Sequence, residues 1–327
     1  MPEMTMVEAI RLAMDEELAR DERVFIVGED VGPRGGVFRA TQGLFAKYGE
    51  KRVIDSPLAE LSIVGVGIGA ALYGLRPICE IQFADFIHPA FNQIVSEAAK
   101  MCYRSGGEWT VPLVIRAPYG GGIGGGLYHS QSLEAFFAHV PGLKVVIPST
   151  PQDARGLLKS AVRDPNPVLF FEPKKGYRLI RGPVSEDEGL VPIGPAQVTR
   201  EGSDLSLFAY GMMHHYALQA AEIVSGEGIR AEVVDLRTLY PPDRATIVAS
   251  VRKTGKALIV HEDNLTGGYG AEIAAILADE AFTDLDAPVR RLCGPDIPAV
   301  PFSHPLQDWF MPNPNKIAQA MRELAAY

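Results

Sequence analysis

Short, uninterrupted apolar runs alternate with amphipathic stretches along the whole chain. "RVFIVGEDVG", "VPLVIRAP", "LKVVIPST", "PVLFFEP", "DLSLFAYG", "RAEVVDLRTLY" and "KALIVHED" read as strands with both faces buried. Between them lie helical patterns such as "ELSIVGVGIGAALYGL", "HPAFNQIVSEAAKMCYR", "PQDARGLLKSAVRD" and "GAEIAAILADEAF". A strand buried on both faces needs cover on both. This alternation therefore predicts mainly parallel sheets with helices on either side, that is, three-layer α/β/α domains.

The 327 residues suggest two such domains. "KKGYRLIRGPVSEDEGLVPIGP", from Lys174 to Pro195, is polar, proline-bearing and acidic in its middle, as a connection would be. The expected division is a first domain over 1–180, a linker over 181–195 and a second domain over 196–327. The formal charge of −9 argues against nonspecific nucleic-acid binding and would suit a basic protein partner. Cys79, Cys102 and Cys293 are far apart and lack C-x-x-C spacing, so neither a disulfide framework nor a zinc site is expected. The N-terminal "MPEMTMVEAIRLAMDEELARD" reads as an amphipathic helix with Val7, Ile10, Leu12, Met14 and Leu18 near its apolar side. No run approaches the roughly 20 apolar residues of a membrane span. A cytoplasmic chain is expected, or a mitochondrial matrix one if processed.

Several features carry chemistry. "GVGIGA" fits G-x-G-x-x-A through Gly65, Gly67 and Ala70, but "SPLAELSIV" before it reads as the same helix, whereas a dinucleotide fingerprint follows a strand. Small residues so spaced otherwise permit close helix packing. "YGGGIGGGLYHSQS", Tyr119–Ser132, follows a strand and lacks the Lys-Ser/Thr of a P-loop. It is a hinge, a cradle or a platform for His129. Histidine is the side chain best suited to move protons near neutral pH, although a lone one is more often a satisfied surface residue. Glu29 follows the first strand. Glu60 lies at the start of the small-residue helix, with Ser56 as expected N-cap and Pro57 as first helical residue; a first-turn acid also simply complements the helix dipole. Phe83 and Phe86 read as core or rim aromatics.

Taken together, "GEDVG…GVF", "IDSPLAE", "EIQFADFIHPAFNQIVSEAAK", "PLVIRAPYGGGIGGGLYHSQSLEAFFAHVPGLKVVIPSTPQDARGLL", "PNPVLFFEPK", "VVDLRTLYPPD" and "LTGGYGAEI" run in order across nearly the whole chain. In these segments the sequence resembles the β subunit of the thiamine-diphosphate-dependent 2-oxo acid dehydrogenases (E1), of the branched-chain (2-oxoisovalerate) type first and the pyruvate type next. The resemblance implies a pyrimidine-binding α/β domain followed by a transketolase C-terminal-like domain. It implies decarboxylation of a 2-oxo acid and reductive acylation of the lipoyl group of the acyltransferase, E2. In that family the α subunit holds the diphosphate and Mg²⁺ through G-D-G…N-N; neither "GDG" nor "NN" occurs here, so an α₂β₂ partner is expected.

The same resemblance assigns roles. Glu60 matches the glutamate on the cofactor pyrimidine, where a carboxylate favours the tautomer whose nitrogen deprotonates the thiazolium. Glu29 matches a second carboxylate near the cofactor. Phe86 takes the place of an aromatic on the pyrimidine, where branched-chain relatives are expected to have Tyr. His129 matches the histidine that orients the intermediate as the acyl group leaves, with Tyr128 and Ser130 on the same wall. A structural K⁺ site would use Val111, Leu113, Ala161, Asp164 and Asn166, its oxygens suited to a hard cation. Val114 stands where a Thr can donate a ligand oxygen. The E2 binding domain would dock on the C-terminal domain, with Glu280, Asp284, Asp286 and Asp296 as candidate acids. The alternatives are a pyruvate or acetoin enzyme, an NAD(P) oxidoreductase using "GVGIGA", and a non-catalytic docking scaffold.

Overall fold

The computed structural model describes residues 1–327. It contains two compact units: Met1–Tyr119 with Phe136–Ile193, and Gly120–Ala135 with Gly194–Tyr327. The glycine-rich loop thus clusters with the second unit, although a strand of the first precedes it.

The first unit is built on six parallel strands: β1 (Val24–Glu29), β2 (Val53–Ser56), β3 (Arg76–Glu80), β4 (Val114–Tyr119), β5 (Lys144–Val146) and β6 (Val168–Pro173). Their order is β5-β6-β4-β3-β1-β2. Every residue of β4 and β6 is buried, as the apolar runs predict for a doubly covered sheet. Burying a side chain such as Phe170 or Phe171 contributes about 1.5–3 kcal/mol. Helix α1 (Met6–Arg20) opens with a capping box: Thr5 accepts from the Glu8 amide, and the Glu8 side chain accepts from the Thr5 amide. Its buried side includes Met6, Val7, Ile10, Met14 and Leu18, while Leu12 lies at the margin.

Helix α2 (Glu60–Leu72) contains the whole of "GVGIGA". "GVGIGA" lies inside the helix and not at a strand-to-helix turn, which removes the NAD(P)-binding reading of that motif. Gly67 serves packing: a Cβ on it would sit 2.5 Å from the Cys79 sulfur of β3. The helix also begins later than expected. Its N-cap is Ala59 without a side-chain cap, and the Ser56 hydroxyl donates to the Pro57 carbonyl instead. Helix α3 (Pro151–Arg163) is capped by Thr150, whose hydroxyl accepts from the Asp153 amide at 3.1 Å.

The single long helix expected after Phe86 is broken. A 3₁₀ turn at His88–Ala90 leads into π-helix Gln93–Ala98 and a short α-helix, Met101–Arg104. Apolar periodicity does not distinguish these ladders, since a π-turn shifts the face by only one residue. Within the stretch read as linker, Gly176–Leu179 is helical and Arg181–Pro183 pairs antiparallel with Glu3–Thr5, so Lys174–Pro183 is built into the first unit.

The second unit holds β7 (Gln197–Arg200), β8 (Leu205–Ala209), β9 (Ala231–Asp235), β10 (Ala257–Asn264) and β11 (Arg290–Gly294), in the order β11-β10-β8-β9-β7. Only edge strand β7 runs antiparallel to its neighbour. Helices α4 (Gly211–Ser225), α5 (Arg244–Thr254), α6 (Gly270–Glu280) and α7 (Pro314–Ala325) complete it. The two α/β units match the expected fold class. No helix is long and apolar enough to cross a membrane.

Candidate active site

In the first unit the loops at the C-terminal ends of the strands gather carboxylates, where open parallel sheets present ligand sites. Glu29 ends β1 and Glu60 begins α2; both are half-buried. Burial pushes the Glu29 carboxyl above the usual range, helped by the negative charges of Asp30, Glu60 and Asp55. The two acids are therefore electrostatic neighbours. The loop after Glu29 folds back sharply. Asp30 has φ +60°, and its carbonyl accepts the Gly36 amide at 2.8 Å. The Gln82 side-chain amide donates to the Glu29 carbonyl at 3.4 Å. Phe86 closes the 3₁₀ turn Ala84–Phe86 after β3, and Phe83 meets it edge-on at 5.7 Å. Phe83 also contacts Phe38 at 5.2 Å and lies beneath the Lys174 ammonium at 5.8 Å.

Beneath this edge lies a buried ion triad with no sequence motif. Arg116 on β4 is 1% exposed. It donates to Glu172 of β6 at 2.7 and 2.9 Å and to Glu80 of β3 at 2.7 Å. The Tyr177 hydroxyl donates to Glu172 as well. Burial raises the Glu80 pKa, although Arg116 opposes the rise. The sequence signal for such a triad is a polar residue inside each of three apolar strands, which identifies the residues but not their pairing.

The glycine loop belongs to the second unit. Gly120 has φ +91°, and a Cβ on it would sit 2.8 Å from the Glu262 carboxylate. Gly125 lies directly under His129: a Cβ there would come 2.7 Å from the His129 carbonyl oxygen. His129, half-buried, caps the 3₁₀ turn Gly126–Tyr128. Tyr128 is 65% exposed and Ser130 is buried. The structure places Glu29, Glu60 and Phe86 in the first unit, the two acids within electrostatic reach of each other, and holds Tyr128 and His129 in the second.

Behind the loop sits an acidic cluster from β10 and the loop's far end. Burial pushes the Glu134 carboxyl up to about 8, reinforced by the charges of Asp263 and Glu262 and opposed by the Tyr210 hydroxyl bonded to it. Asp263 is pushed up to about 6, again by burial first. Both values exceed the ordinary 4.5 and 3.8, so the folded chain holds protons that the unfolded chain releases. The stability this contributes is complete below those ordinary values and is lost as pH rises through about 6 and 8. Melting temperature should therefore fall as pH rises from about 5 to about 8, the two carboxyls titrating as a pair. Glu134→Gln, which can still accept from Tyr210, should flatten the limb above pH 7 in thermal scans across buffers. An unaltered pH profile in that variant would refute the raised value.

Of the candidate cation ligands, the carbonyls of Val111, Leu113 and Ala161 accept the amides of Leu113, Val168 and Asp164 at 2.8, 2.9 and 3.2 Å. Each keeps a second lone pair, and oxygen is the donor type a hard cation takes. Asp164 is already engaged: Lys144 pairs with its carboxylate, Arg76 donates to its carbonyl at 3.3 Å, and the Asn166 amide reaches its carboxylate at 2.9 Å. Among the surface acids, Glu280 pairs with Arg244 and Asp284 with Arg252, and Asp296 accepts from Thr266.

Residues 2–179 match the family described as transketolase, pyrimidine binding domain, and residues 194–317 match transketolase, C-terminal domain. The chain is 59% identical to the 2-oxoisovalerate dehydrogenase subunit beta of Bacillus subtilis (strain 168), over 99% of both chains. The chain belongs to the transketolase-like E1 β family of 2-oxo acid dehydrogenases. A 2-oxoisovalerate dehydrogenase subunit beta of Arabidopsis thaliana is 51% identical over 99% of this chain and 90% of that one. The pyruvate dehydrogenase E1 component subunit beta of B. subtilis is 48% identical over the full length of both. A solved structure described as a split gene transketolase, inactive beta4 tetramer, superposes with TM-score 0.81 at 25% identity, over 99% of this chain and 98% of that one.

The family depends on thiamine diphosphate, and the first unit offers groups that fit its pyrimidine half. The two half-buried carboxyls, Glu29 and Glu60, are hydrogen-bonding groups of the kind an aminopyrimidine takes. The half-buried Phe83 and Phe86 supply aromatic surface on the same unit.

Proposed function

We propose that this chain is the β subunit of the E1 component of a branched-chain 2-oxo acid dehydrogenase, decarboxylating a 2-oxo acid and passing the acyl group to a lipoyl arm of E2. The observation that carries the substrate choice is the 59% identity to a 2-oxoisovalerate dehydrogenase subunit against 48% to a pyruvate one, at near-complete coverage in both cases. Thiamine diphosphate, when bound, supplies the carbanion and the electron sink. Glu60 would hydrogen-bond the pyrimidine, Glu29 would help organise Glu60 beside it, and Phe86 would stack on the ring. His129 would move the proton that accompanies acyl transfer, with Tyr128 on the same wall. An α subunit would complete an α₂β₂ assembly and hold Mg²⁺ and the diphosphate. A K⁺ ion would be held by the Val111, Leu113 and Ala161 carbonyls with Asp164 and Asn166. The acidic C-terminal unit, whose Glu280, Asp284 and Asp296 are already hydrogen-bonded or ion-paired, would dock a basic E2 domain.

The test is reconstitution with the complementary α subunit and comparison of kcat/KM on 2-oxoisovalerate and pyruvate. Preference for 2-oxoisovalerate is expected; preference for pyruvate overturns the substrate assignment but not the family. His129→Ala should slow lipoyl acylation by about 10²-fold while decarboxylation to an artificial acceptor changes much less. Equal losses in both assays would refute a role confined to acyl transfer.

A further inference from the structure

The glycine loop looks flexible in sequence, yet the second unit fastens it at three points. At its start the Gly121 amide donates to the Glu262 carboxylate at 2.7 Å. In its middle the Gly124 amide donates to the Gln307 side-chain carbonyl at 3.0 Å. At its far end Glu134 accepts from the Tyr210 hydroxyl at 2.7 Å. His129 lies between the second and third of these. Glu262 and Gln307 are each 5% exposed, so these bonds are shielded from competing water. An amide bonded to a carboxylate is stronger than one bonded to a neutral acceptor. Glu262 stands near the end of β10, where the pairing with β11 shifts register between Val260 and Asn264. Its carboxylate occupies the space a Cβ on Gly120 would need, so loop and carboxylate fit only with glycine at that position.

We infer that Glu262 is a positioning residue: through the Gly121 amide it fixes the start of the glycine loop and so sets where His129 is held. The relevance to catalysis rests on the reading of His129 as the acyl-transfer residue; the clamp itself does not. Glu262→Asp withdraws the acceptor by one methylene while keeping the charge, whereas Glu262→Gln keeps an oxygen in reach.

The experiment is amide hydrogen exchange on the full chain without cofactor, with α4 (Gly211–Ser225) as internal control, followed by acyl transfer in the reconstituted enzyme. Glu262→Asp should speed exchange at Gly120–Gln131 by about 10-fold or more, leave α4 unchanged and raise KM for the lipoyl acceptor more than it lowers decarboxylation. Glu262→Gln should return exchange to within about threefold of the parent. Unchanged loop exchange in Glu262→Asp overturns the inference, as does an increase spread equally over loop and α4, which marks a general folding role. If Glu262→Asp does not fold, Gly120→Ala applies the same test, because its new Cβ presses on the Glu262 carboxylate. If His129→Ala leaves acyl transfer intact while the loop still loosens in Glu262→Asp, the clamp stands and only the catalytic reading of His129 fails.

Discussion

Glu60→Ala is expected to lower decarboxylation by the reconstituted enzyme by about 10²–10⁴-fold, the range in which a positioned acid or base contributes. The protein should remain folded. Glu60 is half-buried at the first turn of α2, with Ala59 rather than Glu60 at the N-cap, so its removal costs the helix only about 0.3–1 kcal/mol of dipole interaction. A melting temperature within a few degrees of the parent, with turnover nearly lost, separates chemistry from stability. The variant carries a second signature. Glu60 is one of the charges that raise the Glu29 pKa, so deleting it should lower that pKa. Side-chain carboxyl titration by NMR would detect the shift. Near-normal turnover would end the assignment of Glu60, and an unmoved Glu29 would end the claim that the two acids are coupled.

Arg116→Met should be the most destabilising single change in the first unit, by about 3–5 kcal/mol. Glu80 and Glu172 would be left buried without their cation, at 4% and 0% exposure. Methionine fills much of the volume, so the cost comes chiefly from uncompensated charge rather than a cavity. Each would then lose the cation that favours its ionised form, an effect seen at Glu80, where burial raises the pKa and Arg116 opposes the rise. The deficit should therefore shrink towards about pH 5, where they take up protons, and grow towards pH 8. Arg116→Lys should recover only part, because one ammonium cannot bridge both oxygens of Glu172 and also reach Glu80. Urea denaturation at the two pH values measures both effects. A loss below about 1 kcal/mol at pH 8, or one independent of pH, would show that the triad does not depend on its cation.

The apolar runs led directly to most of the strands of both sheets, because a segment buried on both faces has few other choices. The helix beginning with "ELSIV" was equally legible, but its start was not. Ser-Pro suggested a cap, whereas the chain stays non-helical to Ala59 and so brings Glu60, not Pro57, to the first turn. The break after Phe86 was invisible because one extra residue in a turn leaves the apolar pattern nearly intact.

The sequence by itself determined the layered α/β architecture, the order of its motifs and the residue types available for chemistry. Glu29, Glu60, Phe86, Tyr128 and His129 could all be named from local text and family resemblance. Only the tertiary structure decided which of them are neighbours and what supports them. It put Glu29 within electrostatic reach of Glu60, set Arg116 between two buried glutamates, and gave the glycine loop to the second unit through Glu262, Gln307 and Tyr210. The physical reason is range. Periodicity and capping act over a few residues, and so they are written in the local sequence. The strand-to-strand and loop bonds that hold the candidate site join residues from 36 up to 183 positions apart, and a buried charge acquires its partner only when the strands are side by side.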